Sequence, residues 1–88
     1  MIWQTEQTNE KYISHWCYVV CEKGCIHKPT IYEYPDGNCY YSDASMSMPF
    51  RDIMPNVGIR NNLQLADSHL HQKGFTSLQV LVCRHGIT

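Results

Sequence analysis

Charge is scarce in this chain: Asp, Glu, Lys and Arg make up only 17% of its 88 residues. Seven basic residues stand against eight acidic ones, for a net charge of −1. The basic residues Lys11, Lys23, Lys28, Arg51, Arg60, Lys73 and Arg84 are scattered, and no run of either sign exists. Electrostatic capture of nucleic acid or of an anionic membrane is therefore not supported. Long apolar runs are also lacking, so no stretch approaches the roughly 20 residues that cross a bilayer. The start, Met1-Ile2-Trp3-Gln4-Thr5-Glu6, has no basic segment followed by an apolar one, which argues against a signal peptide. Asn-x-Ser/Thr sequons are absent. The five glycines each punctuate a turn or an element end, so no glycine-rich phosphate loop exists. The five cysteines, Cys17, Cys21, Cys25, Cys39 and Cys83, are an odd count for a disulfide framework. They fit reduced thiols in a cytoplasmic protein.

What is present is apolar and aromatic. Hydrophobic residues make up 43% of the chain, enough for one globular domain over 1–88 that buries roughly 60–65% of its unfolded surface. The clearest local signal is Thr30-Ile31-Tyr32-Glu33-Tyr34-Pro35-Asp36-Gly37-Asn38-Cys39-Tyr40-Tyr41-Ser42. Thr, Ile and Tyr favour a pleated strand, and Pro-Asp-Gly between two such runs is turn chemistry. Pro35 presets φ, and Gly37 can take φ > 0 to close a bulged hairpin. The register then sets Tyr34 opposite Asn38, Tyr32 opposite Tyr40 and Thr30 opposite Ser42. Glu33 with Cys39 and Ile31 with Tyr41 point the other way.

Residues 1–11 read as an N-terminal arm or edge strand, anchored by Trp3. Tyr12 to Cys21 reads as one central strand with faces His15/Cys17/Val19/Cys21 and Trp16/Tyr18/Val20. Glu22-Lys23-Gly24 is a turn, and Cys25 to Lys28 is irregular chain or a short strand. Residues 43–58 read as a long loop, broken by Ser45, Ser47, Pro49, Pro55 and Gly58, with a short strand near Phe50 to Ile53. Ile59, Leu63, Ala66 and Leu70 recur at helical spacing, so a helix runs from about Ile59 to Lys73. Gly74 stops it. Leu78, Val80 and Val82 alternate with Ser77, Gln79 and Leu81 in a last strand. The expectation is an α+β domain of order β-β-β-loop-α-β: a mostly antiparallel sheet of about four strands with one helix packed on one face.

Chemistry-bearing clusters are sparse. His15, Cys17, Cys21, Cys25 and His27 bring soft ligands close in sequence, but without the usual x₂ zinc knuckle. Cys17 and Cys21 on one strand lie about 13 Å apart, too far for one ion. Cys21, Cys25 and His27 around the turn form the alternative, a small zinc-stabilised module; strand cysteines otherwise behave as small hydrophobes. His69 and His71 diverge by about 200° on a helix and cannot share an ion there. Cys83 and His85, at i and i+2 on a strand end, touch only if that end curls, and nothing flanks Cys83 with the helix start that lowers a thiol pKa; His15 and Cys17 share this weakness. No paired carboxylates appear, and no constellation meets the geometry of a catalytic site. No cofactor, metal or enzymatic activity is expected.

The tyrosines carry the functional expectation. Tyr32, Tyr34 and Tyr40 share one hairpin face, and Trp16 and Tyr18 extend it. Such rings combine apolar area with a polar tip and are enriched at interfaces. One helix shelters only one face of the sheet. If that face is aromatic, then Ile31, Tyr41, Cys39 and Cys17 stay outside; otherwise the tyrosines do. Either surplus marks a site for another protein or for a second copy of the chain as a homodimer. Aromatics on a sheet also stack single-stranded nucleic acid, but the basic groove such binders add is missing. Small, motif-free α+β chains of this type resemble the inhibitor proteins that phages carry against host defences, anti-CRISPR proteins among them. That resemblance implies a binding module that acts by occluding a macromolecular partner.

Overall fold

The computed structural model describes residues 1–43 and 52–78. Eight strands and one helix follow in order: β1 (Gln4–Gln7), β2 (Ile13–Trp16), β3 (Val19–Val20), β4 (Ile26–His27), β5 (Pro29–Glu33), β6 (Cys39–Asp43), β7 (Asp52–Ile53), α1 (Ile59–Gln72) and β8 (Thr76–Ser77). A five-stranded sheet runs β1-β2-β5-β6-β7, and a three-stranded sheet runs β4-β3-β8. Every pairing is antiparallel. The class is α+β, as expected, but the strands divide into two sheets rather than one sheet of about four.

The division falls inside the segment that reads as one strand from Tyr12 to Cys21. The Cys17 N–H still bonds the Pro29 carbonyl at 3.2 Å, but the Tyr18 carbonyl accepts from Leu78 N–H at 2.9 Å. The chain thus changes partners between β2 and β3, leaving β5 for β4 and β8. Pro29 explains the break: it opens β5, where a residue without an N–H is tolerated, and separates it from β4. Cys25 to Lys28 contributes a true strand, β4, rather than irregular chain.

Two hairpins close in the same way. Tyr34 N–H bonds Asn38 O and Gly37 N–H bonds Tyr34 O, both at 2.9 Å. Cys21 N–H bonds Cys25 O and Gly24 N–H bonds Cys21 O, also both at 2.9 Å. Each three-residue loop ends on a glycine at φ near +90°, Gly37 at 92° and Gly24 at 88°, a region that costs a side chain about 1–2 kcal/mol. Asp36 Oδ1 accepts the Asn38 N–H at 3.0 Å, the side-chain turn expected of Asp. The β5–β6 register is the one read from the sequence, with Thr30 opposite Ser42, Ile31 opposite Tyr41, Tyr32 opposite Tyr40 and Glu33 opposite Cys39.

Helix α1 buries Ala66 and Leu70 fully and Ile59 and Leu63 partly. It ends in a Schellman motif: Phe75 N–H bonds Leu70 O and Gly74 N–H bonds His71 O, both at 3.0 Å. Phe75 then packs on Leu70. Two buried clusters result. Cys17, Val19 and Leu70 gather with Met1, Trp3 and Phe75. Ile31, Cys39 and Ala66 gather with Trp3, Tyr41, Met54, Ile59 and Leu63. Trp3 joins both clusters, and its indole Nε1 donates to Asp67 Oδ1 at 2.8 Å. The Met1 ammonium reaches Asp67 Oδ2 at 3.2 Å. The N-terminal arm is thereby tied to the helix, and β1 lies as an edge strand with all four side chains exposed and polar.

The predicted short strand near Phe50 to Ile53 is β7, paired with β6. The rest of that loop from 44 to 51, most of the predicted last strand beyond Leu78, and the Cys83 and His85 pair lie outside the described residues.

Candidate protein-binding face

Strand register assigns each side chain of the five-stranded sheet to a face. Thr5, His15, Ile31, Glu33, Cys39 and Tyr41 share the side that α1 covers. The opposite side carries Ser14, Trp16, Thr30, Tyr32, Tyr40 and Ser42, with Ile53 opposite Tyr40 on β7. The alternative left open by the sequence is therefore decided. Ile31, Cys39 and Cys17 are core, and Tyr41 packs beside them. The aromatic face is the outer one.

On that outer face the tyrosines meet one another. Tyr34 and Tyr40 stand edge-to-face with ring centres 5.4 Å apart. Tyr12, which precedes β2, joins them at 5.1 Å from Tyr32 and 5.5 Å from Tyr34. All four rings are partly buried. Edge-to-face pairs of this kind contribute about 0.5–1.5 kcal/mol each beyond area burial. Their geometry holds the rings in fixed orientations, which lowers the entropy lost when a partner lands on them. Tyr12 is not among the site residues expected from the sequence, although its even spacing from Trp16 places it on this face.

Trp16 opposes Thr30 and so lies diagonally beside Tyr32 on this side of the sheet. Trp16 lies four residues along from Tyr12, about 13 Å away. Its ring and that of Tyr18 flank the Lys28 ammonium, 5.2 and 5.9 Å from their centres. The face thus carries the tyrosine cluster and a Trp16–Lys28–Tyr18 group, and Thr30 and Ser42 on the same side are buried.

On the covered side, His15 is buried, with 6% of its surface exposed. Its Nδ1 lies 2.9 Å from Thr5 Oγ1 and its Nε2 lies 2.9 Å from Glu33 Oε1. The imidazole ties β1 to β5 across β2 and satisfies a polar group that burial would otherwise penalise. Cys17 is buried beyond it, and desolvation pushes its thiol up to about 12, which leaves no thiolate for nucleophilic work near neutral pH.

Cys21, Cys25 and His27 do come together at the β3–β4 turn. The Cys21 sulfur is in side-chain hydrogen bonds with His27 and Cys25, and accepts the Cys25 N–H at 3.3 Å. The His27 bond, then the backbone donors at Cys25 and Lys23 and the Cys25 thiol, lower the Cys21 pKa to about 7 despite some desolvation. The Cys25 thiol, donating to that sulfur, is raised. Among the described residues no group of three or more His, Cys, Asp or Glu side chains is arranged to hold a metal ion. On α1, His69 and His71 are both exposed. His69 faces the Tyr41 ring at 6.0 Å, and Asp67 is engaged by Trp3 and Met1.

An open groove of about 230 Å³ lies between β7 and α1, lined by Tyr41, Asp52, Met54, Leu65, Ala66 and His69 among others. Ile53 at its edge is 79% exposed. No helix among the described residues is long and apolar enough to cross a membrane. Comparison of the chain with protein-family models, with curated proteins and with solved structures finds no match.

Proposed function

We propose that this protein is a non-enzymatic protein-binding module whose recognition face is the outer side of the five-stranded sheet. Tyr32, Tyr34 and Tyr40, with Tyr12 beside them, are its anchors. Trp16 and Tyr18, gathered around Lys28, form a second contact point. The observation that carries this reading is the placement of the helix. Both buried clusters lie on the other side of the sheet, so the tyrosine rings serve neither. Four oriented rings with polar tips suit a protein surface that offers apolar pockets and carbonyl acceptors. The mechanism is occlusion: the sheet face covers a macromolecular partner and blocks it, as phage-type inhibitors of host defence, including anti-CRISPR proteins, do. The four described cysteines are free thiols, which supports a reducing compartment, the cytoplasm, as its site of action.

The test begins with affinity capture from the native host and identification of the bound protein. Its dissociation constant is then measured with Tyr34→Ala and Tyr40→Ala variants whose fold is checked by circular dichroism. Loss of an anchor costs at least about 2 kcal/mol, roughly a 30-fold weaker complex. Folded variants that bind like the parent protein would overturn the face. Stoichiometric zinc by mass spectrometry, lost together with the fold in chelator, would favour the zinc-stabilised module. Capture of single-stranded nucleic acid alone would favour the third alternative.

A further inference from the structure

We propose that Cys21 and Cys25 form an oxidisable dithiol at the β3–β4 turn, in which Cys21 is attacked by a hydroperoxide and Cys25 resolves the product into a disulfide. Three observations carry it. The two residues are the closing pair of the hairpin, joined by the Cys21 N–H to Cys25 O bond of 2.9 Å. Cα atoms of such a pair lie about 5.5 Å apart, inside the roughly 4.4–6.8 Å window that a disulfide spans. As directly opposed residues, the two side chains project from the same side of the hairpin, and the Cys25 N–H lies 3.3 Å from the Cys21 sulfur. Both side chains are open to solvent, with Cys25 exposed and Cys21 partly so, whereas Cys17 and Cys39 are each only 1% exposed.

The electrostatics assign the roles. The backbone N–H of Cys25 donates to the Cys21 sulfur and so favours its thiolate, whereas no backbone donor is directed at the more exposed Cys25 sulfur among the described contacts. The attacking group is therefore Cys21. In the first step its thiolate attacks the terminal peroxide oxygen and an S–O bond forms, with the alkoxide or hydroxide as leaving group. The O–O bond breaks, the sulfur is oxidised to a sulfenic acid, and the peroxide leaves as an alcohol, or as water from hydrogen peroxide, after taking up a proton. In the second step the Cys25 sulfur attacks the Cys21 sulfenic acid. The S–O bond breaks, the S–S bond forms and water leaves with the Cys25 proton. The turn also carries Glu22, whose carboxylate lies against Gly74 just past α1, so the modification sits at a tertiary contact and not on a free loop.

The experiment uses the full chain, reduced and freed of reductant, then treated with hydrogen peroxide. Intact mass should fall by about 2 Da, and reductant should reverse it. Trypsin cuts after Lys23, so the Cys21 and Cys25 peptides should stay joined until reduced. Cys25→Ser should instead accumulate a sulfenic acid at Cys21 that a 1,3-dione probe captures. Cys21→Ser should show neither product. Before oxidation, alkylation at pH 7 should be at least tenfold faster at Cys21 than at Cys25, following thiolate fraction. Joined peptides that persist in either serine variant would assign the bond to other cysteines and overturn the proposal. So would peroxide treatment that leaves both thiols fully alkylatable. Stoichiometric zinc at these sulfurs in the purified protein would overturn it as well.

Discussion

Two isoleucines on opposite faces of the sheet provide a matched test of which side is core. Ile31, in the middle of β5, is fully buried, at 0% exposure. Ile53, in β7, lies on the outer face and is 79% exposed. The same truncation to alanine removes the same three carbons at each site. At about 0.8 kcal/mol per buried carbon, the transfer loss at Ile31 is about 2.4 kcal/mol. The cavity left against Ala66 and Cys39 adds to it, so Ile31→Ala should cost about 2–5 kcal/mol. At Ile53 only about a fifth of the transfer loss applies, roughly 0.5 kcal/mol, with strand propensity adding at most about 1 kcal/mol. A domain of this size has a total stability of roughly 4–13 kcal/mol. Ile31→Ala should therefore lower Tm by roughly 8–40 °C, and Ile53→Ala by about 2–4 °C from lost burial, or up to about 12 °C with the full propensity term. Thermal melts followed by far-ultraviolet circular dichroism read both. Equal shifts, or a larger shift for Ile53, would show that the outer face is core and would refute the assignment of the tyrosine surface.

Other consequences follow from single contacts. Gly74→Ala puts a side chain at φ 87°, with its Cβ 2.9 Å from Glu22 Oε2. It should destabilise by about 1–2 kcal/mol in urea titrations, and adding Glu22→Ala should recover only the steric share. Asp67→Ala removes the acceptor of the Trp3 indole and the partner of the Met1 ammonium. It should cost about 1–3 kcal/mol and loosen hydrogen exchange along β1, whereas Asp67→Asn, which keeps an oxygen acceptor, should cost less. Cys17 in the folded state ionises only at about 12, against an ordinary thiol near 9. Between those values the folded chain holds a proton that the unfolded chain has released, so the Cys17 contribution to stability is complete below pH 9 and falls as pH rises toward 12. Native Cys17 should accordingly resist alkylation at pH 8 while Cys21 reacts. Equal rates would show that Cys17 is not buried.

Local chemistry made several features legible in advance. Pro35, Asp36 and Gly37 define one turn and, with three residues between the strands, set the hairpin register without any help from the rest of the chain. The spacing of Ile59, Leu63, Ala66 and Leu70 defined α1 and its buried stripe, and Gly74 marked its end. These are properties of neighbouring residues, so the order of residues carries them. Tertiary contacts decided the rest. Alternation along a strand shows that there are two faces, but only the landing of α1 and of Trp3 makes Ile31 and Cys39 core and leaves Tyr32, Tyr34 and Tyr40 on the outside. The apolar run from Tyr12 to Cys21 looks continuous, yet the missing N–H of Pro29 and the return of the chain at Leu78 split it between two sheets. His15 finds Thr5 and Glu33 through strand pairing 10 and 18 residues distant, and its local sequence gives no sign of either. Cys17 and Cys21, four residues apart, end as an inert core thiol and a partly exposed one whose pKa is lowered. Burial and hydrogen bonding set a thiol's proton affinity, and both are arranged by parts of the chain far from the sulfur itself.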